Sequence, residues 1–261
     1  MRKRVLLFIN GRLGLDLMRY LLNQPETEIS GIVLNSDEKR TPDYSNKIRE
    51  IQAEFETEIL VLLYENEIWR KEKFKSALEQ TDLAVVALFG HIIPRGVISA
   101  LSPSIVNLHP SYLPLGRGAD PIPWAIIDNE KQGATIHILE ERLDTGPIVL
   151  QTEIKSDFGM SSGEIYQLAM AALMDLFEQY YESWPEGVTF HNQTGSHSYH
   201  SSSELASVRE KFLRDSETAE NFFRITQALS FSDGRALRIQ LRSGEIWEIT
   251  LVAKQALEQE N

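Results

Sequence analysis

The chain has 261 residues, 42% of them hydrophobic, and a formal net charge of −12 at neutral pH. That length suffices for one large domain, or for a core domain with a small appendage, and the acidic balance disfavours non-specific attraction to nucleic acid or anionic lipid. The lack of cysteine removes disulfides, zinc-thiolate sites and cysteine nucleophiles, and no apolar run is long enough to span a bilayer.

The opening MRKRVLLFINGR has too short an apolar core, and no small-residue cleavage site, for a signal peptide, so a cytoplasmic protein is expected. Residues 4–10 (RVLLFIN) read as a buried strand. Residues 13–23 follow with Leu17, Met18, Leu21 and Leu22 at helical spacing, and 28–35 (EISGIVLN) form a second strand. Next come a polar helix around Asn46–Phe55, a short strand at Ile59–Leu62, a charged helix near Ile68–Leu78 and the strand DLAVVALF at 82–89. Strands apolar on both faces, alternating with helices, predict an α/β, Rossmann-like fold: a mostly parallel sheet with helices on both faces.

Further strands are expected at 105–109, 134–139 (ATIHIL) and 147–154 (PIVLQTEI), then a long amphipathic helix from about Gly163 to Trp184. These elements define a core α/β region over 1–185. Residues 186–203 are polar, rich in Ser and His and without a sustained period, which suits an extended connector. Residues 204–261 read as a small C-terminal extension, a helix followed by a β-hairpin across a Gly-containing turn. One hairpin strand presents Leu237, Ile239 and Leu241, the other Trp247, Ile249 and Leu251. A two-stranded hairpin is marginal alone, so this apolar face needs a partner surface, and a homodimer is expected.

The strand at 105–109 carries the chemistry. Residues two apart share a face, so Asn107 and His109 stand side by side. Pro110 cannot continue a central strand, which puts both at its carboxyl end, where open α/β sheets bind ligands. Asp144, in the turn RLDTGPI, can bring a carboxylate back over the sheet. An amide, an imidazole and a carboxylate suit acyl transfer to an amine. On spacing alone, a satisfied polar pair on a strand is the commoner explanation.

The run N-L-H-P-S-x-L-P-x-x-R-G-x-x-P-x-x-W-A-I, then T-I-H and L-D-T-G-P-I, resembles the formyltransferase family that uses 10-formyltetrahydrofolate. The resemblance is continuous from about Asp82 to Ile154. It implies that Asn107, His109 and Asp144 are the catalytic triad. It also implies that FGHIIP brings Phe89, Gly90, His91, Ile92 and Ile93 to the folate, and that LEERLD brings Leu139, Glu140 and Glu141 to the opposite wall. His137 fits the family's T-I-H pattern, where a structural role on a buried strand is the simpler reading. No metal is expected.

The acceptor is read from three places. The turn INGRLGLD after the first strand lacks a Gly/Ser-rich phosphate loop, although Asn10 and Arg12 lie at the functional edge, within reach of substrate phosphates. Arg117 and Gly118, in LGRGADP, suit the pyrophosphate or sugar side, since guanidinium grips phosphate oxygens bidentately. Trp124 lies in an apolar run that suits core packing. The tail, with Tyr199 and His200 as a Y-H pair, a helix and a hairpin, resembles that of the sugar N-formyltransferases. The implied partners are a nucleotide-linked, dTDP-type amino sugar and reduced folate, with no nucleic acid and no membrane. Methionyl-tRNA formyl transfer and a non-catalytic folate- or nucleotide-binding module are the alternatives.

Overall fold

The computed structural model describes residues 2–39, 41–156, 160–205, 224–228, 237–240 and 246–249. In chain order it contains β1 (Lys3–Ile9), α1 (Gly11–Leu22), β2 (Thr27–Leu34), α2 (Tyr44–Glu54), β3 (Val61–Leu63), α3 (Glu72–Glu79), β4 (Leu83–Ala87), α4 (Arg95–Leu101), β5 (Ile105–His109) and β6 (Arg117–Gly118). Then follow α5 (Pro121–Ile127), β7 (Gln132–Ile138), β8 (Ile148–Ile154), α6 (Ser162–Ser183), β9 (Tyr199–His200), β10 (Leu237–Gln240) and β11 (Ile246–Ile249).

Seven strands form one sheet in the order β3-β2-β1-β4-β5-β7-β8. The pairs from β3 to β5 are parallel, and β5 with β7 is antiparallel. The cause is in the residues. From Val5 to Ile9, and along all of β4, every residue is buried, so neither sheet face can meet water and helices cover both. On α1, Leu13, Leu17 and Leu21 are buried at four-residue spacing. Each contributes about 1.5–3 kcal/mol by leaving water, and Leu17→Ala would cost about 2–5 kcal/mol through the cavity it leaves. The predicted α/β, mostly parallel architecture is the observed one.

Local differences have local causes. The charged helix expected at 68–78 is a 3-10 turn, Ile68–Arg70, and then α3, because Lys71 between them is extended. The helices α4 and α5 have seven residues each, too few for a hydrophobic period to show in sequence. Pro121 opens α5, where its missing N–H has no partner to lose.

The chain forms two compact units. The first comprises Met1–His109, Thr135–Leu150 and Leu173–Gln193. One of its cores gathers Leu6, Phe8, Val33, Phe74, Ala84 and Ile105, with Phe89 and Leu139 packed against it. The second comprises Pro110–Ala134, Gln151–Ala172 and Thr194–Asn261. There the segment at 224–228 is helical, and Ser162 Oγ donates to the carbonyls of Gln227 and Ala228.

The polar stretch 186–203 takes part in two main-chain pairings. In the first unit His191 and Ile148 exchange main-chain hydrogen bonds at 3.0 and 2.8 Å. In the second, β9 lies parallel to β6, Tyr199 opposite Arg117 and His200 opposite Gly118. Pairing of this kind leaves no periodic signature. The C-terminal strands β10 and β11 are antiparallel, with Leu237 opposite Ile249 and Ile239 opposite Trp247. The hairpin turn, Leu241, Leu251 and most of the preceding helix lie outside the described residues. Among the described residues no helix is long and apolar enough to cross a membrane.

Candidate active site

The antiparallel pairing of β5 with β7 sets the site's frame. Asn107 stands opposite His137 and His109 opposite Thr135, so these four polar side chains share one face where β5 ends at Pro110. The loop after β7 returns Asp144 to the same place. His109 is 6% exposed, His137 0% and Asp144 7%. Such burial of polar and ionisable groups requires that they satisfy one another.

They do so in a defined order. His137 Nδ1 lies 2.9 Å from the carbonyl of Ile138, an acceptor only, so Nδ1 carries the hydrogen and Nε2 offers a lone pair. Asn107 Nδ2 donates to that Nε2 at 3.1 Å and to Asp144 Oδ1 at 3.3 Å. The opposite amide orientation would turn an oxygen toward both a lone pair and a carboxylate. Asp144 Oδ1 lies 3.8 Å from His109 Nδ1, beyond hydrogen-bond length but at strong electrostatic range. The His109 and His137 rings meet nearly edge-to-face, 6.2 Å apart.

The Asp144 loop is tightly built. Asp144 takes a left-handed backbone conformation, φ 52°, which costs an L-residue about 1 kcal/mol or more. A Cβ on Gly146 would stand 1.9 Å from the carbonyl of Ile138, so only glycine fits. The Leu139 N–H donates to the Ile105 carbonyl at 2.9 Å. Glu141 Oε1 pairs with Arg95 Nε at 2.6 Å, so the carboxylate expected at the folate wall is engaged by α4. Glu140 is exposed and Leu139 half-buried.

The loop after β4 is braced from the end of β2. Asn35, 2% exposed, accepts from the Gly90 N–H at 2.9 Å and donates to the Lys39 carbonyl at 3.1 Å. Lys39 Nζ donates to the Gly90 carbonyl at 2.7 Å. His91 stacks on Tyr64, 3.6 Å between ring centres, and its Nε2 accepts from the Ser36 N–H at 3.3 Å. Burial, with the Lys39 ammonium second, holds the His91 imidazole below its usual pKa. Phe89 packs edge-on against Phe8, and Ile93 is buried in the core. Ile92 is 78% exposed, as Leu143 is by 54% on the other loop.

Of the residues expected to meet substrate, Asn10 is committed elsewhere. Its Oδ1 accepts from the Thr41 N–H at 3.1 Å and its Nδ2 donates to the Lys39 carbonyl at 3.1 Å. Arg12 is exposed and lies 3.5 Å from Asp16 on its own helix.

In the second unit, Arg117 and Gly118 form β6. Gly118 has φ 90°, and a Cβ there would fall 2.2 Å from the His200 carbonyl. Tyr199 is half exposed, whereas His200 is a brace. Its ring stacks on Trp124 at 3.7 Å, with Nε2 2.8 Å from Asp128 and Nδ1 2.9 Å from Glu204. Both ring nitrogens are therefore occupied. Hydrogen bonds from Ser201 first, and from His200 second, hold the Glu204 carboxyl down to about 2. Trp124 is a core residue, 8% exposed, in accord with its apolar run.

Sequence reasoning underrated His137, whose Nε2 fixes the Asn107 amide. The signal was its place opposite Asn107, which requires knowing that β5 and β7 are antiparallel. Asn35 and Lys39 carry no sequence signal at all. Among the described residues, no cluster of three or more His, Asp or Glu could hold a metal ion.

A half-buried amide, a buried imidazole and a buried carboxylate at the carboxyl edge of a parallel sheet can bind an oxygen, take a proton and orient the acceptor of that proton. A sequence model described as Formyl transferase matches residues 3–173. The fold is similar to that of a sugar N-formyltransferase from a Shewanella species, at 19% identity, covering 97% of this chain and 98% of that one with a TM-score of 0.79. It is also similar to the N-formyltransferase of Helicobacter canadensis in complex with folinic acid and dTDP-3-aminofucose, at 16% identity, 97% and 88% coverage and a TM-score of 0.70. At these identities the likeness shows a shared fold. A methionyl-tRNA formyltransferase from Clostridium beijerinckii is 32% identical over 130 residues, 49% of this chain, and the match spans only 42% of that protein.

Proposed function

The chain belongs to the formyl transferase family, and from that premise we propose that it moves a formyl group from 10-formyltetrahydrofolate to the amine of a nucleotide-linked amino sugar, of the dTDP type. The observation that carries the reading is the convergence of Asn107, His109 and Asp144 on one sheet edge, with Asp144 Oδ1 at 3.3 Å from the amide and 3.8 Å from the imidazole.

The surroundings fit a reduced pterin. Two exposed apolar side chains, Ile92 and Leu143, offer faces for a flat ring, and main-chain groups of 89–93 and 139–144 offer polar edges. The folate supplies an activated formyl carbon.

The chain's residues supply the rest. An alkyl amine, with pKa about 10, is mostly ammonium at neutral pH and has no lone pair for attack. The His109 imidazole relays the amine's protons beside the Asp144 carboxylate: one goes to solvent and frees the lone pair that attacks the formyl carbon, and a second goes to the folate nitrogen as its bond to that carbon breaks and tetrahydrofolate leaves. The Asn107 N–H on the Asp144 side makes the longer of the amide's two bonds, 3.3 Å against 3.1 Å, and without leaving the carboxylate it is shared with the oxygen of the group being transferred. One such donor is typically worth about 3–4 kcal/mol. The bond to His137 keeps the amide in plane meanwhile.

The acceptor rests on fold likeness and charge. The likeness in fold to a sugar N-formyltransferase covers 97% of this chain and 98% of that one. A net charge of −12 also opposes tRNA binding. The second reading, formyl transfer to methionyl-tRNA, is favoured by the higher identity of the matched methionyl-tRNA enzyme. One experiment separates them. The enzyme is given 10-formyltetrahydrofolate with a panel of dTDP- and UDP-amino sugars, or with methionyl-tRNA, and products are followed by mass. A gain of one carbonyl on a sugar supports the first reading, and formylation of tRNA alone refutes it.

A further inference from the structure

Gln193 lies in HNQTG (191–195), a stretch with no recognisable motif, yet its side chain ends on the loop that carries the carboxylate. Its Nε2 donates to the main-chain carbonyl of Asp144 at 2.8 Å and to that of Gly146 at 2.8 Å. A primary amide has two N–H donors. Both are thus directed at carbonyls two residues apart on one turn.

The turn has reason to need this. Asp144 is in the left-handed region, φ 52°, and within the turn the Thr145 N–H reaches the Arg142 carbonyl only at 3.4 Å, with the Thr145 hydroxyl donating to the same oxygen at 3.0 Å. Both bonds end upstream of Asp144 and leave its own carbonyl to Gln193. Gln193 itself projects from a fixed base. The neighbouring His191 exchanges two main-chain hydrogen bonds with Ile148, the first residue of β8, just beyond the turn. On the near side, the Ile138 N–H closes on the Pro147 carbonyl at 2.9 Å. Base, amide and turn make a closed frame.

We propose that Gln193 is a positioning residue for formyl transfer: its amide holds the Asp144–Gly146 turn so that the carboxylate stays on the Asn107 amide and beside the His109 ring. The inference rests on the formyl-transfer reading above. Its physical basis is that a misplacement of about 1 Å in a catalytic group costs up to about a hundredfold in rate. Gln193 touches no reacting atom and acts only through Asp144.

The test uses Gln193→Met, which keeps length and bulk but has no donor. Its kcat should fall about tenfold to a hundredfold, with KM for folate and for acceptor changed by less than about twofold. In the Asp144→Asn background the same substitution should cost less than about twofold further, because the group it positions is already gone. Equal fractional losses in both backgrounds, or a loss confined to KM, would overturn the proposal. If Gln193→Met does not fold, Gln193→Ala, which admits water to both carbonyls, takes its place in the same comparisons. A wild-type protein that formylates no amine would overturn the proposed function instead. The positioning role is then decided by a crystal structure of the variant: a displaced Asp144 carboxylate sustains it, and an unmoved one refutes it.

Discussion

Asn107 and His137 face each other across the β5–β7 pair, amide nitrogen to ring nitrogen at 3.1 Å, and the ring's other nitrogen is tied to a main-chain carbonyl. The amide's orientation is therefore set by a histidine that does not reach the site's surface. Substituting His137 by Leu should remove the acceptor, let the Asn107 amide rotate, and lower kcat at least about tenfold while folate affinity holds. Steady-state kinetics beside a folate titration would check this. Unchanged kcat would show that the amide needs no such anchor.

Asn107→Ala and His109→Ala should each lower turnover at least about a hundredfold. Thermal melts should show both variants folded, with small changes in midpoint. If the losses in activity and in stability run in parallel, the two residues hold the sheet edge together and do not act on substrate.

The loop after β4, proposed to border the folate, should respond to acid through His91. Its imidazole is held below its ordinary pKa by burial and then by Lys39, so between the folded value and the unfolded value of about 6.5 the unfolded chain binds more protons. The brace is intact above about 6.5 and is lost as pH falls from there through the folded pKa. Protonation places a hydrogen on Nε2, opposite the Ser36 N–H that it now accepts. The KM for folate should rise on acidification below that window, and His91→Phe, which keeps the stack on Tyr64, should flatten the rise. Superimposable curves for the two proteins would contradict this account.

The C-terminal strands pair Leu237 with Ile249 and Ile239 with Trp247, and the sequence alternation at these positions is that expected of a strand pair with one apolar face. We propose that this face forms a homodimer contact. Sedimentation at micromolar concentration should then give a dimer, and Trp247→Glu should give a monomer. A monomeric wild type would end the idea.

How much of this could be read beforehand depended on the reach of each signal. The strands β1, β2, β4 and β5 announce themselves because burial on both faces demands unbroken apolar runs. The convergence of Asn107, His109 and Asp144 was legible because Asn107 and His109 are two apart on a strand that ends at Pro110, and because the motif that resembles the family's includes Asp144. The braces were not. Asn10 and His200 are the residue types that contact phosphates or sugars, and nothing local reveals that Thr41 and Lys39 engage the one, or Asp128, Glu204 and Trp124 the other. Gln193 stayed hidden for the same reason: its partners are main-chain carbonyls far away in sequence, and a carbonyl leaves no trace in the choice of residue.

The central claim is that a pterin and a sugar amine meet at one triad, and a crystal structure with tetrahydrofolate and a dTDP-amino sugar bound tests it most directly. The account predicts the amine nitrogen within about 3–3.5 Å of the folate nitrogen's formyl position, with the His109 ring and the Asn107 amide in hydrogen-bond reach of that gap. A pterin seated away from Ile92 and Leu143, or an amine that approaches neither His109 nor Asn107, would contradict it.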